Sequence, residues 1–501
     1  MNRQLIRLAL VAVGLLIALV VATTYWQSWA AGGLAARQDN AVELVSQFQV
    51  SRGLIIASNG KTVLAANRAV KRNGQTFFFR RYPQGGLAAQ TIGYSTSAYS
   101  QTGLEQSLNA FLTGANTNLS NAIERTLNRL GGATVYGNNV VLTINAKAQA
   151  LAQQLLGNRC GAIVAMNPRT GAVEVMASSP TYNQNLILQP NGYGKVLKIG
   201  GACGGGGSAL LNRTTDGLFT PGSTFKMVTA AAALDSGAFT PTSQFNDPGY
   251  CVEYGKHVSN AGNPDQNGPE TYGNVTLAQG FQHSINSVFC NVGKQIGGLT
   301  ILKYARKFGF YSTPPLDTPA NQRVPSGLYH DVKGRPVLWY PKSENEIDAG
   351  RLAFGQFNMV ATPLQMLLVA STIANGGVLP RPYLVDRVVG HNGSIVSRTK
   401  PSNLGRAIKP QTAADLTQMM ISVVQAGTGT AAQIPGIQVA GKTGTAETGI
   451  NRVYTAWFVC FAPADNPKVA VAVVLEKQPN GFGGSVSAPL AKQIIQALLH
   501  G

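Results

Sequence analysis

The rhythm of apolar and polar positions changes several times along this chain, and each rhythm predicts a different element. Arg3 and Arg7 precede residues 8–22, which hold neither a charge nor a strongly polar group, and residues 23–30 continue uncharged with Tyr25, Trp26 and Trp29. Residues 8–29 are enough to cross a bilayer core as a helix at about 1.5 Å per residue. Beyond them Leu34, Val42, Val45 and Phe48 are spaced among polar positions, which predicts a helical stalk with one apolar stripe. Residues 52–56 read as an extended stretch that turns at Asn59-Gly60, a strong hairpin signal. From there to Asn139 the pattern is mixed and fits a small accessory domain.

A denser apolar pattern begins near Val140. Residues 141–144 read as a strand, 146–156 as a helix, and 161–166 as a buried strand ended by Asn167-Pro168. Residues 171–177 follow after so short a turn that the two strands form a hairpin, making the sheet at least partly antiparallel. The glycine-rich residues 200–207 mark a flexible loop. They are no phosphate cradle, because the Gly-Lys-Ser/Thr ending is missing. Near the C-terminus, residues 453–461 and 469–475 are strands separated by Asp465-Asn466-Pro467, and 488–499 form a helix with Pro489 in its first turn. The expected fold is α+β: an antiparallel sheet covered by helices, preceded by a small accessory domain and one transmembrane helix. The expected division is an anchor at 1–30, stalk and accessory domain at 31–139, and a catalytic domain at 140–501.

Charge refines this picture only slightly. Lys and Arg outnumber Asp and Glu by 40 to 21, for a formal net charge of +19. Such an excess suits nucleic acid, a membrane surface or an anionic cell wall equally well. Nucleic acid loses ground because no compact zinc-ligand set, aromatic-plus-basic strand motif or long basic helix is present. Positive charge ahead of the apolar span favours an inside N-terminus, which puts residues 31–501 outside the cytoplasm, on the far side of the cytoplasmic membrane. Ser28-Trp29-Ala30 loosely fits a signal-cleavage site, but the uncharged stretch outruns a usual signal core, which favours a single-pass retained anchor. The five cysteines, Cys160, Cys203, Cys251, Cys290 and Cys460, are far apart and without metal-ligand spacing. They are open to two readings, one or two bridges in an oxidising compartment or five buried small hydrophobes; no metal or other cofactor is implied.

Three short motifs carry the candidate chemistry. Thr220-Pro221-Gly222-Ser223-Thr224-Phe225-Lys226 opens a strongly helical run, so Ser223 is expected in the first helical turn with Lys226 on the same face. A neutral amine there takes the hydroxyl proton, provided burial or a second cation lowers its pKa. Ser284-Ile285-Asn286 follows a helix start at Thr276. Its hydroxyl suits a proton relay, and its amide suits fixing Lys226 or a substrate backbone. Lys442-Thr443-Gly444-Thr445 precedes the strand at Val453. Beside the nucleophile, Lys442 would supply positive field, Thr443 a carboxylate contact, Gly444 room for the acyl group, and the Thr445 and Ser223 N–H groups an oxyanion hole. Each motif alone has an ordinary explanation: a helix start, a local cap, a turn with an exposed lysine. All three in this order, in one exported domain, are hard to obtain by accident.

The trio resembles the motif set of penicillin-binding proteins and serine β-lactamases. Arg52-Gly53 with Asn59-Gly60, Gly103-Leu104-Glu105, residues 353–356 and residues 362–366 resemble landmarks of the class B high-molecular-weight type, most of all its actinobacterial penicillin-binding protein A branch. The resemblance implies a peptidoglycan D,D-transpeptidase that takes an acyl group from a D-Ala-D-Ala stem peptide and passes it to a neighbouring peptide amine. It implies peptidoglycan stem peptides, β-lactam antibiotics, the cytoplasmic membrane and cell-wall synthesis proteins as partners, in the service of cell shape and division. Residues 51–139 are too few for the glycosyltransferase module of class A. One departure is Ala57-Ser58, where the family usually has Asp-Arg. A D,D-carboxypeptidase and a non-catalytic cell-wall scaffold are the competing readings. One β-lactamase branch carries a deacylating glutamate between its second and third motifs; Glu344 and Glu346 fall in that interval, in segments unlike that branch, and are expected at the surface.

Overall fold

The computed structural model describes residues 2–26, 48–72, 74–96, 100–115, 134–204, 206–261 and 269–500. Helix α1 (Asn2–Thr24) contains a 19-residue stretch, Ile6–Thr24, long and apolar enough to cross a membrane, and none of it is buried against protein. Its length is about 28 Å, close to the thickness of a hydrocarbon core. The Thr23 hydroxyl donates back to Leu19 O at 2.8 Å, so that polar group is satisfied inside the helix. Trp29 and the stalk positions Leu34, Val42 and Val45 lie outside the described residues; Phe48 stacks on Phe79 with ring centroids 5.4 Å apart.

A six-stranded sheet follows. β1 (Ile55–Ile56) pairs antiparallel with β2 (Val63–Arg72) across the expected Asn59-Gly60 turn, where Asn59 Oδ1 accepts from the N–H groups of Lys61 and Thr62. β3 (Gln75–Arg81) extends the hairpin. Two separate landmarks meet here. Glu105, fully buried, accepts from Arg52 Nε at 2.8 Å and from Arg80 Nε at 2.7 Å. Opposed charges and direct hydrogen bonds make this burial tolerable, and the two arginines hold the carboxyl below its ordinary range although burial itself pushes it up.

β4 (Asn139–Leu142) lies parallel to β1 and antiparallel to Val385–Val389, which in turn pairs with Ile395–Arg398. The sheet therefore joins the accessory strands to chain from deep within the region expected to be catalytic. Sequence pattern identified residues 141–144 as extended but gave no sign of this pairing, because a strand's neighbour is a long-range property. This sheet is mixed, with one parallel ladder; the antiparallel, helix-covered sheet expected for the catalytic region is a separate one.

The second sheet is antiparallel throughout. Its strands are β5 (Gly161–Met166), β6 (Val173–Ser179), β7 (Ala440–Glu447), β8 (Val453–Ala462) and β9 (Val469–Pro479), in the spatial order β7-β8-β9-β5-β6. The relevant helices are α2 (Ala146–Leu156), α3 (Lys226–Asp235), α4 (Leu277–Gln282), α5 (Asn286–Ile296), α6 (Pro363–Ala374) and α7 (Ala488–His500). Local chemistry starts them: Asn145 caps α2, Thr276 and Gln279 form a capping box on α4, and Thr362 caps α6 with Pro363 at its first position.

All six residues of β5 are buried because both faces of the sheet are covered. Ile163 and Ala165 pack with α2 and α7, while Ala162, Val164 and Met166 face the larger core that holds α3 and α6. Two disulfides form, Cys160–Cys203 and Cys251–Cys290, and Cys460 is buried as a free thiol. The first ties the glycine run at 200–207 to the sheet.

Candidate active site

Ser223 lies at the N-terminal approach to α3, a deeply buried helix of the larger core. Residues 226–233 of α3 are all buried, which fits an apolar helix without a solvent face. Ser223 itself stands in a tight 3₁₀ turn, Gly222–Phe225, just before α3 and not in its first α turn as the sequence pattern predicts. Three contacts pin this turn. Trp457 Nε1 donates to Thr220 O at 3.0 Å, Thr224 Oγ1 donates to Pro221 O at 2.7 Å, and Gly222 N donates to Gly355 O at 3.2 Å. A Cβ on Gly355 would lie 2.2 Å from Gly222 O, so the glycine lets residues 353–356 support the Ser223 turn from below.

β7 is the edge strand of its sheet and passes directly beside this turn, bringing Lys442 to Thr445 with it. A Cβ on Gly444 would sit 2.8 Å from Pro221 O and 2.9 Å from Thr224 Cγ2. The glycine expected to make room for an acyl group is thus already required for packing strand against turn. Alternate N–H groups of an edge strand point away from the sheet, and β7 aims its open edge at Ser223. Thr443 Oγ1 lies 2.6 Å from Thr428 Oγ1, and Thr445 Oγ1 accepts from Gly483 N at 3.3 Å.

The second motif sits where α4 ends and α5 begins. Ser284 is held at φ 62°, an uncommon conformation for a residue with a side chain, by Ile285 N donating to Gly280 O at 2.8 Å. Its two oxygens join the lysines. Lys226 Nζ donates to Ser284 O at 2.7 Å and Asn286 Oδ1 at 2.8 Å, and lies 3.4 Å from Ser284 Oγ. Lys442 Nζ donates to the same Ser284 Oγ at 2.8 Å. Asn286 Nδ2 reaches back to Ser259 O at 3.0 Å, on a hairpin formed by Tyr250–Glu253 and Lys256–Ser259 that Cys251–Cys290 ties to α5.

Both lysines are completely buried, and among the described residues neither has a carboxylate partner. Burial and then the charge of Lys442 hold the Lys226 amine well below the ordinary lysine range, while burial pushes Lys442 down to about 7. Aromatic faces replace part of the lost hydration. Lys226 Nζ lies 5.3 Å from the Phe289 ring centre and 6.0 Å from that of Phe354, and Lys442 Nζ lies 5.5 Å from that of Phe281. Phe354 belongs to the landmark at residues 353–356, but its place over a lysine, like those of Phe281 and Phe289, was not legible, because apolar residues next to motifs look like ordinary core. Among the described residues no hydrogen bond joins Lys226 Nζ to Ser223 Oγ. Glu344 is engaged elsewhere, accepting from Gly298 N at 2.7 Å and Leu299 N at 3.0 Å, and Glu346 accepts from Lys342 N at 3.0 Å.

Comparison with known proteins agrees with this geometry. Residues 161–496 match the penicillin binding protein transpeptidase domain, and residues 52–140 match the penicillin binding protein A dimerisation domain. The chain is 33% identical over 518 residues to the peptidoglycan D,D-transpeptidase PbpA of Mycobacterium tuberculosis, covering 100% of both. It is 28% identical over 461 residues to the peptidoglycan D,D-transpeptidase MrdA of Acinetobacter baumannii, covering 84% of this chain and 66% of that one. Among solved structures, penicillin-binding protein A of M. tuberculosis as its ceftriaxone acyl-enzyme complex superposes with a TM-score of 0.79 at 32% identity, covering 91% of this chain and 100% of that one. Because the two family models together span the accessory strands and the helix-covered sheet, and the PbpA match runs the full length of both chains, this chain belongs to the class B high-molecular-weight penicillin-binding proteins of the penicillin-binding protein A type and has the fold of a serine-type transpeptidase.

Proposed function

We propose that Ser223 is the residue acylated by D-Ala-D-Ala stem peptides and by β-lactams, with Lys226 as its base. The observation that carries this reading is the hydrogen bonding of Lys226. A neutral amine has two N–H donors and one lone pair, and Lys226 finds two good carbonyl acceptors, Ser284 O and Asn286 Oδ1, at 2.7 and 2.8 Å. That leaves the lone pair free for the Ser223 proton. The Ser223 oxygen then attacks the substrate carbonyl, and the N–H groups of Ser223 and Thr445 hold the resulting oxyanion.

As the tetrahedral species collapses, the proton passes from Lys226 through the Ser284 hydroxyl to the departing D-alanine amine, and Lys442 keeps that hydroxyl oriented. Lys442 and Thr443 receive the substrate carboxylate, and Gly444 keeps strand and turn in contact. A neighbouring peptide amine reverses these steps and carries the acyl group away. Arg3 and Arg7 ahead of the uncharged residues 8–22 support an exported catalytic region anchored in the cytoplasmic membrane, with residues 31–139 as the accessory unit available to cell-wall synthesis proteins and 140–501 as the transpeptidase region.

Incubating the full chain with a donor stem peptide and candidate acceptor amines, followed by product mass measurement, tests the reading. An amine-dependent cross-linked product and a single β-lactam adduct, both lost in Ser223→Ala, are expected. Release of D-alanine to water alone would assign a carboxypeptidase, and no adduct with chemically different β-lactams would assign a scaffold.

A further inference from the structure

Away from the active site, the boundary between the two sheets encloses a cleft of about 310 Å³ whose charge the transpeptidase reaction does not use. Arg323, Arg381 and Lys400 line it against a single carboxylate, Asp317. That carboxylate is partly consumed, since Asp317 Oδ2 accepts from Leu384 N at 2.6 Å and Val385 N at 3.1 Å, fixing the start of strand Val385–Val389. Among the described residues, neither the Arg381 guanidinium nor the Lys400 amine makes an ion pair or a side-chain hydrogen bond.

The backbone of the walls is tied down. Arg381 N donates to Ser402 O at 2.9 Å, and a Cβ on Gly171 would lie 2.0 Å from Arg381 O, so the β5–β6 turn is pressed against the arginine's own backbone. Tyr383 N donates to Gly171 O at 3.0 Å, and Thr399 N donates to Asp386 O at 2.8 Å. Arg323 is steered from behind by Pro314 O and Pro319 O, which accept from its guanidinium. Between the cations stand the side chains of Tyr383, Thr399 and Ser402, with Thr399 Oγ1 donating to Val385 O and still able to accept, and the apolar surface of Pro315 and Pro382.

We infer that this cleft binds a phosphate monoester carried on a sugar or polyol. Three cations against one carboxylate leave two positive charges uncompensated, and a phosphate monoester carries about −1.5 to −2 at neutral pH. Arginine offers a planar fork that matches phosphate oxygens, and lysine adds a mobile point charge. The hydroxyl-lined remainder suits the hydroxyls of a polyol, and its volume suits one sugar unit better than a polymer. The site lies beside the start of Val385–Val389, the strand that the accessory sheet takes from the catalytic region.

Calorimetric titration of the full chain in detergent, with glucose 6-phosphate, inorganic phosphate and glucose as probes, tests the inference. Glucose 6-phosphate should bind saturably, inorganic phosphate about tenfold or more weakly, and glucose not at all. The double variant Arg381→Gln/Lys400→Gln should weaken the sugar phosphate by about tenfold or more. Its acylation by a β-lactam should be unchanged, which establishes that it is folded. Absence of saturable binding, or full binding in the double variant, would overturn the site. Equal affinity for inorganic and sugar phosphate would overturn the sugar part and leave a simple anion site.

Discussion

Replacing Lys442 by methionine gives the most direct access to how Lys226 works as a base. Both amine nitrogens touch Ser284 Oγ, at 3.4 and 2.8 Å, which puts them within about 6 Å of each other. At about 6 Å and an effective dielectric of about 20, two unit charges repel by about 2.8 kcal/mol, equivalent to about two pH units. The charge of Lys442 favours the neutral form of Lys226, and the neutral form is the one that accepts the serine proton. Lys442→Met removes that charge, raises the proton affinity of Lys226, and moves the acid limb of acylation toward alkaline pH by as much as about two units. Lys442 itself loses its proton at about 7, so the variant and the parent should converge at alkaline pH as far as Lys226 is concerned. Any remaining rate deficit there measures the lost hydrogen bonds of the neutral amine, such as that to Ser284 Oγ, because its charge is already gone from the parent. Rapid-mixing acylation by a fluorescent penicillin, followed from mildly acid to mildly alkaline pH, separates the two effects. A profile that drops uniformly while its acid limb stays in place would refute the electrostatic role of Lys442.

Three further outcomes are expected. Gly444→Ala places a methyl 2.8 Å from Pro221 O and should push β7 off the Ser223 turn, costing about 1–3 kcal/mol of stability and slowing acylation about tenfold or more, read by denaturant unfolding and adduct formation. Glu105→Ala leaves Arg52 and Arg80 buried without their shared carboxylate and should destabilise by about 3–5 kcal/mol; an unchanged urea midpoint would contradict the buried pairing. Burial pushes the Asp235 carboxyl up, but donation from Lys409 N, Tyr304 and Thr412 outweighs it and lowers the pKa, so its stabilisation is present at neutral pH and lost as pH falls through that lowered value. Asp235→Asn should therefore flatten the acid limb of stability against pH, measured as thermal midpoints.

Local sequence signals suffice where one element decides its own structure. The helix Ala146–Leu156 and the strand Gly161–Met166 follow from an asparagine cap and an unbroken apolar run, and Thr276 with Gln279 announces α4. Ser223 and Lys226 were recognisable because their spacing lies within one turn. Convergence of Lys226 and Lys442 on Ser284 was not, since the positions are separated by more than two hundred residues and only the tertiary fold brings them together. The aromatic walls from Phe281, Phe289 and Phe354 were hidden for a different reason: apolar side chains report burial, and nothing local says that they surround a cation. The Arg52–Glu105–Arg80 cluster combined two segments noticed separately with a third, Arg80, that carried no motif.

The pairing of β4 between β1 and Val385–Val389 bears on how this molecule carries load. A tug on the accessory hairpin runs through hydrogen-bonded ladders instead of a slack connector, and β4 continues through Thr143 and Asn145 straight into α2 beneath the catalytic sheet. Thr143 Oγ1 also donates to Leu384 O at 3.2 Å, so the same short segment is fastened on both sides. Residues 139–145 are thus an axle shared by the two sheets, and a cut at 139 severs it: an isolated catalytic fragment would begin with a strand stripped of its parallel neighbour, exposing a ready edge for self-association.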